Sequence, residues 1–150
     1  MIASPTLSFA ELTIRADSES ASRASAWLQS EAASRGVPRD EITRLDHCLD
    51  EALANVIAHG GASARAAPIV LQFRTHRGDD ACNAEVTVTD SGGEFDPDAV
   101  PAKPRPATLA DAEPGGLGLL MIRSFSDSLR YDRRDGRNHL TFGVRWNGAM

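Results

Sequence analysis

The stretch "LDEALANVIAHG" (49–60) decides how this sequence is read. Apolar residues at Leu49, Ala52, Leu53, Val56 and Ile57 recur with the 3.6-residue period of an amphipathic helix. Its polar positions are less ordinary. Glu51, Asn55 and His59 recur every four residues and so stack along one face. A solvated face would answer Glu51 with a Lys or Arg one turn on. Apart from His47 and His59, no basic residue lies between Arg44 and Arg65. Taken alone, the helix admits a structural reading in which Glu51 is solvated, Asn55 bonds locally and His59 sits at the C-terminus, where the macrodipole favours it. It equally admits a cleft at the rim of a buried face, since burying such groups unpaired costs several kcal/mol.

Working outward, the helix is predicted to start at Asp40, a good N-cap, and to stop at Gly60-Gly61. Ile42 and Leu45 extend its apolar stripe toward the N-terminus, while Asp46 falls inside the stripe without an evident reason. An earlier helix is expected from "DSES" (17–20) to about Arg35, ended by Gly36 and Pro38, and residues 7–15 read as a strand. Downstream, Ile69, Leu71 and Phe73 alternate, then Ala84, Val86 and Val88, with Asp90 continuing the second row. Residues 91–115 carry no convincing element and hold five prolines (97, 101, 104, 106, 114). A segment of that kind inside a compact domain is usually functional or mobile. "GGLGLLMIRSF" (115–125) opens a short helix, and a hairpin turning at "RRDGRN" (133–138) puts Leu140, Phe142, Val144 and Trp146 on one face. The predicted order, β-α-α-β-β-loop-α-β-β, makes a two-layer α/β sandwich: a mixed, mostly antiparallel sheet covered on one face by about three helices.

Composition narrows the function classes. The 150 residues suffice for one domain spanning 1–150, and the apolar and charged fractions, 41% and 25%, are those of a folded globular chain. Net charge is −5, with no basic stripe, which argues against nucleic acid as a partner. No run approaches the ~20 apolar residues of a membrane span, and "MIASPTLSF" lacks the basic and apolar regions of a signal peptide. Cys48 and Cys82 lack C-x-x-C spacing and read as reduced, buried thiols. The expected location is the cytoplasm, with no membrane partner.

Two further stretches carry chemistry. In "VTVTDSGGEFDP" (86–97) a strand ends in Asp90, with Gly92 two residues on. A carboxylate at a strand end accepts hydrogen bonds from an exocyclic amine, and glycine lets backbone approach a flat ligand. "PGGLGLLMI" (114–122) is a glycine-rich helix start, whose unpaired N–H groups and positive dipole end suit phosphates. Each alone is equally a common turn.

In this order the three stretches resemble the boxes of the GHKL ATPase superfamily, the Bergerat fold of gyrases, Hsp90-type chaperones and histidine kinases. The small anti-sigma-factor serine/threonine kinases are the most similar branch. "EALANVIAHG" resembles the N box, "DSGGEFDP" the first glycine box and "GGLGLLMIRSFSD" the second. The resemblance, which covers residues 7 to 146, implies ATP and Mg²⁺ as cofactors. It implies Asn55 as the metal ligand, Glu51 as general base for the attacking hydroxyl, Asp90 as reader of the adenine amino group with Gly92 beside the base, and Gly115, Gly116 and Gly118 facing the phosphates. His59 fits the "H-G" that recurs in the N box. The counter-charge missing from the helix would then be the metal ion. Partners implied are a sigma factor or another regulated target, and an anti-sigma-factor antagonist as phosphorylation substrate in a partner-switching system. Members commonly dimerise, which extends the expectation to a homodimer.

One departure concerns the pattern D-x-G-x-G, whose second glycine position is Glu94, with Gly93 one residue earlier. It motivates an alternative, a regulatory module that binds ATP without transferring phosphate, or that has lost ATP altogether. A detached histidine-kinase catalytic domain is a third reading. No lysine stands ready for a γ-phosphate; Arg105 and Arg123 are candidates for that role or for salt bridges.

Overall fold

A computed structural model describes residues 6–93 and 116–148. The strands are β1 (Thr6–Ile14), β2 (Ile69–Arg77), β3 (Cys82–Asp90), β4 (Ser128–Arg134) and β5 (Arg137–Trp146). The helices are α1 (Ser18–Ser34), α2 (Arg39–His59), α3 (Gly61–Ala66) and α4 (Gly116–Phe125). The sheet order is β1-β2-β3-β5-β4. Every pairing among the described strands is antiparallel, so the sheet is antiparallel throughout rather than mixed. β3 and β4 do run parallel, but β5 lies between them and pairs with both.

Period-2 alternation assigns the faces. Ile14, Ile69, Leu71, Phe73, Ala84, Val86, Val88, Leu140, Phe142 and Val144 point to one side and are buried there. Leu28 of α1, Leu45, Leu49 and Leu53 of α2 and Ile122 of α4 close the core from above. Full burial of each such side chain is worth ~1.5–3 kcal/mol, so this layer dominates the stability of the fold. Trp146 and Leu129 pack at its margin. The β4–β5 hairpin turns through Asp135 (φ 54) and Gly136 (φ 73), the two left-handed residues that a tight two-residue hairpin turn requires.

Two local expectations are corrected, and the place of Asp46 is explained. The N-cap of α2 is Pro38, in extended conformation and without a side-chain cap bond; Asp40 lies in the first turn, where its charge still complements the helix dipole. The Gly60-Gly61 pair ends α2 but opens the six-residue α3, because Gly61 (φ +68) supplies the one left-handed step between the two axes. Asp46 is half-buried because it ties helices together: its Oδ1 accepts from Ser25 Oγ at 2.6 Å and its Oδ2 from Gln29 Nε2 at 3.4 Å, both on α1.

A second set of ties joins α2 to the C-terminal end of α4. Arg44 donates from Nε to the Phe125 carbonyl and from a terminal nitrogen to Asp127 Oδ1, each at 2.9 Å. His47 stacks on Phe125 with ring centres 5.1 Å apart, and the Cys48 thiol donates to the Ile122 carbonyl at 3.7 Å. Burial pushes the Cys48 thiol up to about 12, the Arg44 charge offsetting this in part. Cys48 and Cys82 are both buried and free, as expected. Among the described residues no helix is long and apolar enough to cross a membrane.

Candidate functional site

The C-terminal half of α2 lies over the strand ends of β3 and β5, and a cavity of about 230 Å³ opens between them. Ala52, Asn55, Val56, His59 and Gly60 line it from α2, and Val88, Asp90, Tyr131, Asn138 and Leu140 from the sheet. Sites that enclose a whole drug-sized ligand span ~300–1,000 Å³, so this volume matches one flat heterocycle. Val56, Val88 and Leu140 supply apolar walls; Asn55, Asp90 and Asn138 supply the polar points.

Asp90 is 7% exposed, the last residue of the inward row of β3. Its Oδ1 accepts from the Gly92 backbone N–H at 2.8 Å and from Asn138 Nδ2 at 3.1 Å. Gly92 is required by crowding rather than by φ: a Cβ there would meet Asp90 Oδ1 at 2.9 Å, Gly60 Cα at 3.0 Å and the Gly60 carbonyl at 3.1 Å. The turn after β3 therefore rests directly on the end of α2, which closes the cavity floor.

Asn55 faces this cavity from α2. Its Nδ2 is buried and has no hydrogen-bond partner, the one such side-chain atom among the described residues. An amide rotates by 180° with no change of shape, so the same volume can hold its carbonyl oxygen instead. An orphaned amide at the rim of a cavity fits a ligand not supplied by the chain itself. No group of three or more His, Cys, Asp or Glu side chains among the described residues is placed to hold a metal. A cation there would take its remaining ligands from phosphate and water, which is how Mg²⁺ usually sits in nucleotide sites.

The predicted residues are thus brought together in part. Asn55 and Asp90 converge on one cavity, with Gly92 buried against Asp90. Glu51 lies one turn before Asn55 on α2, half-buried, and is not among the residues lining the cavity. Beside it, Asp50 has its carboxyl raised by burial first and then by the charges of Asp46 and Glu51, with His47 opposing. His59 is exposed but lines the rim. Gly116 and Gly118 lie in the first turn of α4. Gly115, Glu94, Arg105 and the proline-rich segment lie outside the described residues. Two polar side chains that line the cavity were not foreseen, those of Asn138 and Tyr131. The signal for Asn138 was present: it continues the inward row of Leu140, Phe142 and Val144 by one step, as Asp90 continues that of β3.

In this two-layer α/β domain a helix carrying an orphaned amide is thus set against a strand-end carboxylate across a base-sized cavity. Residues 14–144 match the histidine kinase-like ATPase domain, and the chain belongs to that family. A 94-residue stretch is 39% identical to the serine/threonine-protein kinase BtrW of Bordetella bronchiseptica. That stretch is 63% of this chain and 63% of the relative, so the match spans less than two thirds of the relative's length. Among solved structures the fold is similar to the RsbU and RsbW domains of Rv1364c from Mycobacterium tuberculosis, with a TM-score of 0.67 and 20% identity over 95% of this chain and 33% of that one. It is also similar to a chain of the SiaB-SiaC complex from Pseudomonas aeruginosa, with a TM-score of 0.54 and 13% identity over 91% of this chain and 89% of that one. The expected GHKL-type fold is therefore the observed one.

Proposed function

We propose that the protein is an ATP-dependent serine/threonine kinase that holds a sigma factor, or another regulated target, inactive and phosphorylates an anti-sigma-factor antagonist. The observation that carries this reading is the convergence of Asn55 and Asp90 on one base-sized cavity, with the Asn55 amide unsatisfied by the chain. The match to a serine/threonine-protein kinase supports the choice of a hydroxyl rather than a histidine as acceptor. Asp90 would accept from the adenine amine. Asn55 would hold Mg²⁺ through its amide oxygen, and that ion would supply charge neutralisation at the phosphates. The γ-phosphoryl group would pass to the acceptor oxygen with ADP leaving, and Glu51 would take the hydroxyl proton. Gly115, Gly116 and Gly118 would face the phosphates. A homodimer and a cytoplasmic location complete the proposal.

A second reading, a partner-switching module that binds nucleotide without transfer, is favoured by one observation: Glu51 does not line the cavity. One set of assays separates the two. Incubation with labelled ATP, Mg²⁺ and candidate antagonist should label a serine or threonine, stable to acid, and Glu51→Ala should abolish labelling while leaving ADP affinity within about threefold. Equal transfer by Glu51→Ala refutes its role as base. ADP binding without transfer establishes the module, and an acid-labile product would indicate histidine as acceptor. Calorimetry with ADP should require Mg²⁺, and Asn55→Ala should remove that requirement together with tight binding.

A further inference from the structure

Asn138 is 3% exposed and pairs across the sheet with Asp90 on β3 and with Arg133 on β4. Those three residues form a row along one face. Asn138 Nδ2 donates to Asp90 Oδ1 at 3.1 Å and to the Gly93 carbonyl at 2.8 Å, with a longer contact of 3.4 Å to the Gly92 carbonyl. Its Oδ1 accepts from Tyr131 Oη at 2.5 Å and Arg133 at 2.8 Å. Arg133 also donates to the Gly92 carbonyl at 3.3 Å. A guanidinium only donates and a carboxylate only accepts, so the two neighbours fix which way the Asn138 amide faces. The amide passes the arginine's polarity on to Asp90 without bringing a second charge into the cavity.

From this geometry we infer that Asn138 is a positioning residue that makes Asp90 selective for a purine bearing an exocyclic amine. The Gly92 N–H and Asn138 both bind Oδ1, so the carboxyl is clamped through one oxygen and the other, Oδ2, is left to meet the ligand. An acceptor held in one orientation rewards a donor on the ligand and gives nothing to a ring that lacks it. Asn138 also holds the Gly93 carbonyl, and so sets the turn that forms the cavity floor. The inference rests on the nucleotide-binding reading above and adds the origin of its base specificity.

The test compares ADP with purine riboside 5′-diphosphate, which lacks the 6-amino group, by calorimetry on the full chain with Mg²⁺. Wild type should prefer ADP about tenfold or more, the range of a hydrogen bond to a charged group. Asn138→Leu should weaken ADP more than the analogue, so that the preference falls to about threefold or less, because an unclamped Asp90 no longer presents Oδ2 in one orientation. Equal weakening of both ligands, with the preference kept, assigns Asn138 a purely structural part and overturns the inference. Unchanged ADP affinity overturns it too. Wild type that binds neither compound overturns the nucleotide reading and this one with it, whereas binding of both without preference overturns only this one. Should Asn138→Leu fail to fold, Arg133→Met at its exposed position carries the decision. A preference reduced by about threefold supports the clamp, and an unchanged preference refutes it.

Discussion

Replacing Asn55 by leucine should stabilise the nucleotide-free protein while removing its response to nucleotide. A buried polar atom without a partner costs ~1–3 kcal/mol, and the Asn55 amide nitrogen is such an atom. Leucine has nearly the same shape, its neighbours Ala52 and Val56 are apolar, and its helix propensity is better by a few tenths of a kcal/mol. Because Asn55 is only half-buried as a whole residue, the lower part of the range applies, a net gain of about 1 kcal/mol. For a chain of this size that raises Tm by ~2–4 °C. Ligand reverses the order. At one hundred times its Kd, ADP with Mg²⁺ should stabilise wild type by ~2.7 kcal/mol and the variant hardly at all. Two melting curves per protein, with and without ADP and Mg²⁺, therefore cross over: variant above wild type in buffer, below it with ligand. A variant that melts lower than wild type in buffer would mean the amide is satisfied and structural. A variant that keeps the ligand shift would mean that Asn55 has no part in binding.

Other outcomes follow from the same geometry. Gly92→Ala should cost ~1–3 kcal/mol by urea denaturation and weaken ADP at least tenfold, since its Cβ strikes the Gly60 backbone, which cannot swing aside as a side-chain tip would. Asp127 has its carboxyl held below the usual value of 3.8, first by the hydrogen bond from Arg44, which outweighs the opposing effect of burial, and then by the Arg145 backbone N–H. Its contribution is thus complete above the unfolded pKa and is lost as pH falls through the lowered folded value. The Tm gap between wild type and Asp127→Asn should be full at pH 7 and close below pH ~4. Cys48, with its thiol raised to about 12, should resist alkylation at pH 8 in the native state and react fully in denaturant; rapid labelling of the native protein would contradict its burial.

Much of this was legible in the chain because α2 buries one face on a sheet, and burial of that kind writes its period into the sequence. Leu45, Leu49, Ala52 and Leu53 are the core face of α2, and Asn55 falls at its rim, where the cavity lies. Asp90 was legible for the same reason, as the polar end of an apolar row. What escaped depended on partners distant in sequence. Asp46 looked misplaced until Ser25 came to it across 21 positions, and Asn138 looked like turn chemistry until register set it beside Asp90. The α3 helix escaped because a Gly-Gly pair ordinarily signals a stop and a six-residue helix has no room for a period. Pro38 displaced Asp40 as N-cap because proline suits the extended conformation needed there, a preference that side-chain capping chemistry does not reveal.

The ties between α2 and the far end of α4 bear on how the native state opens. Arg44, His47 and Cys48 each hold the last turns of α4, so that segment cannot come loose without disturbing the helix that carries Asn55. Backbone amides near Ile122 and Phe125 should then exchange with deuterium at the pace of the α2 interior, as one cooperative unit. The helix that holds the cavity wall and the helix that opens at Gly116 would share a single protection class.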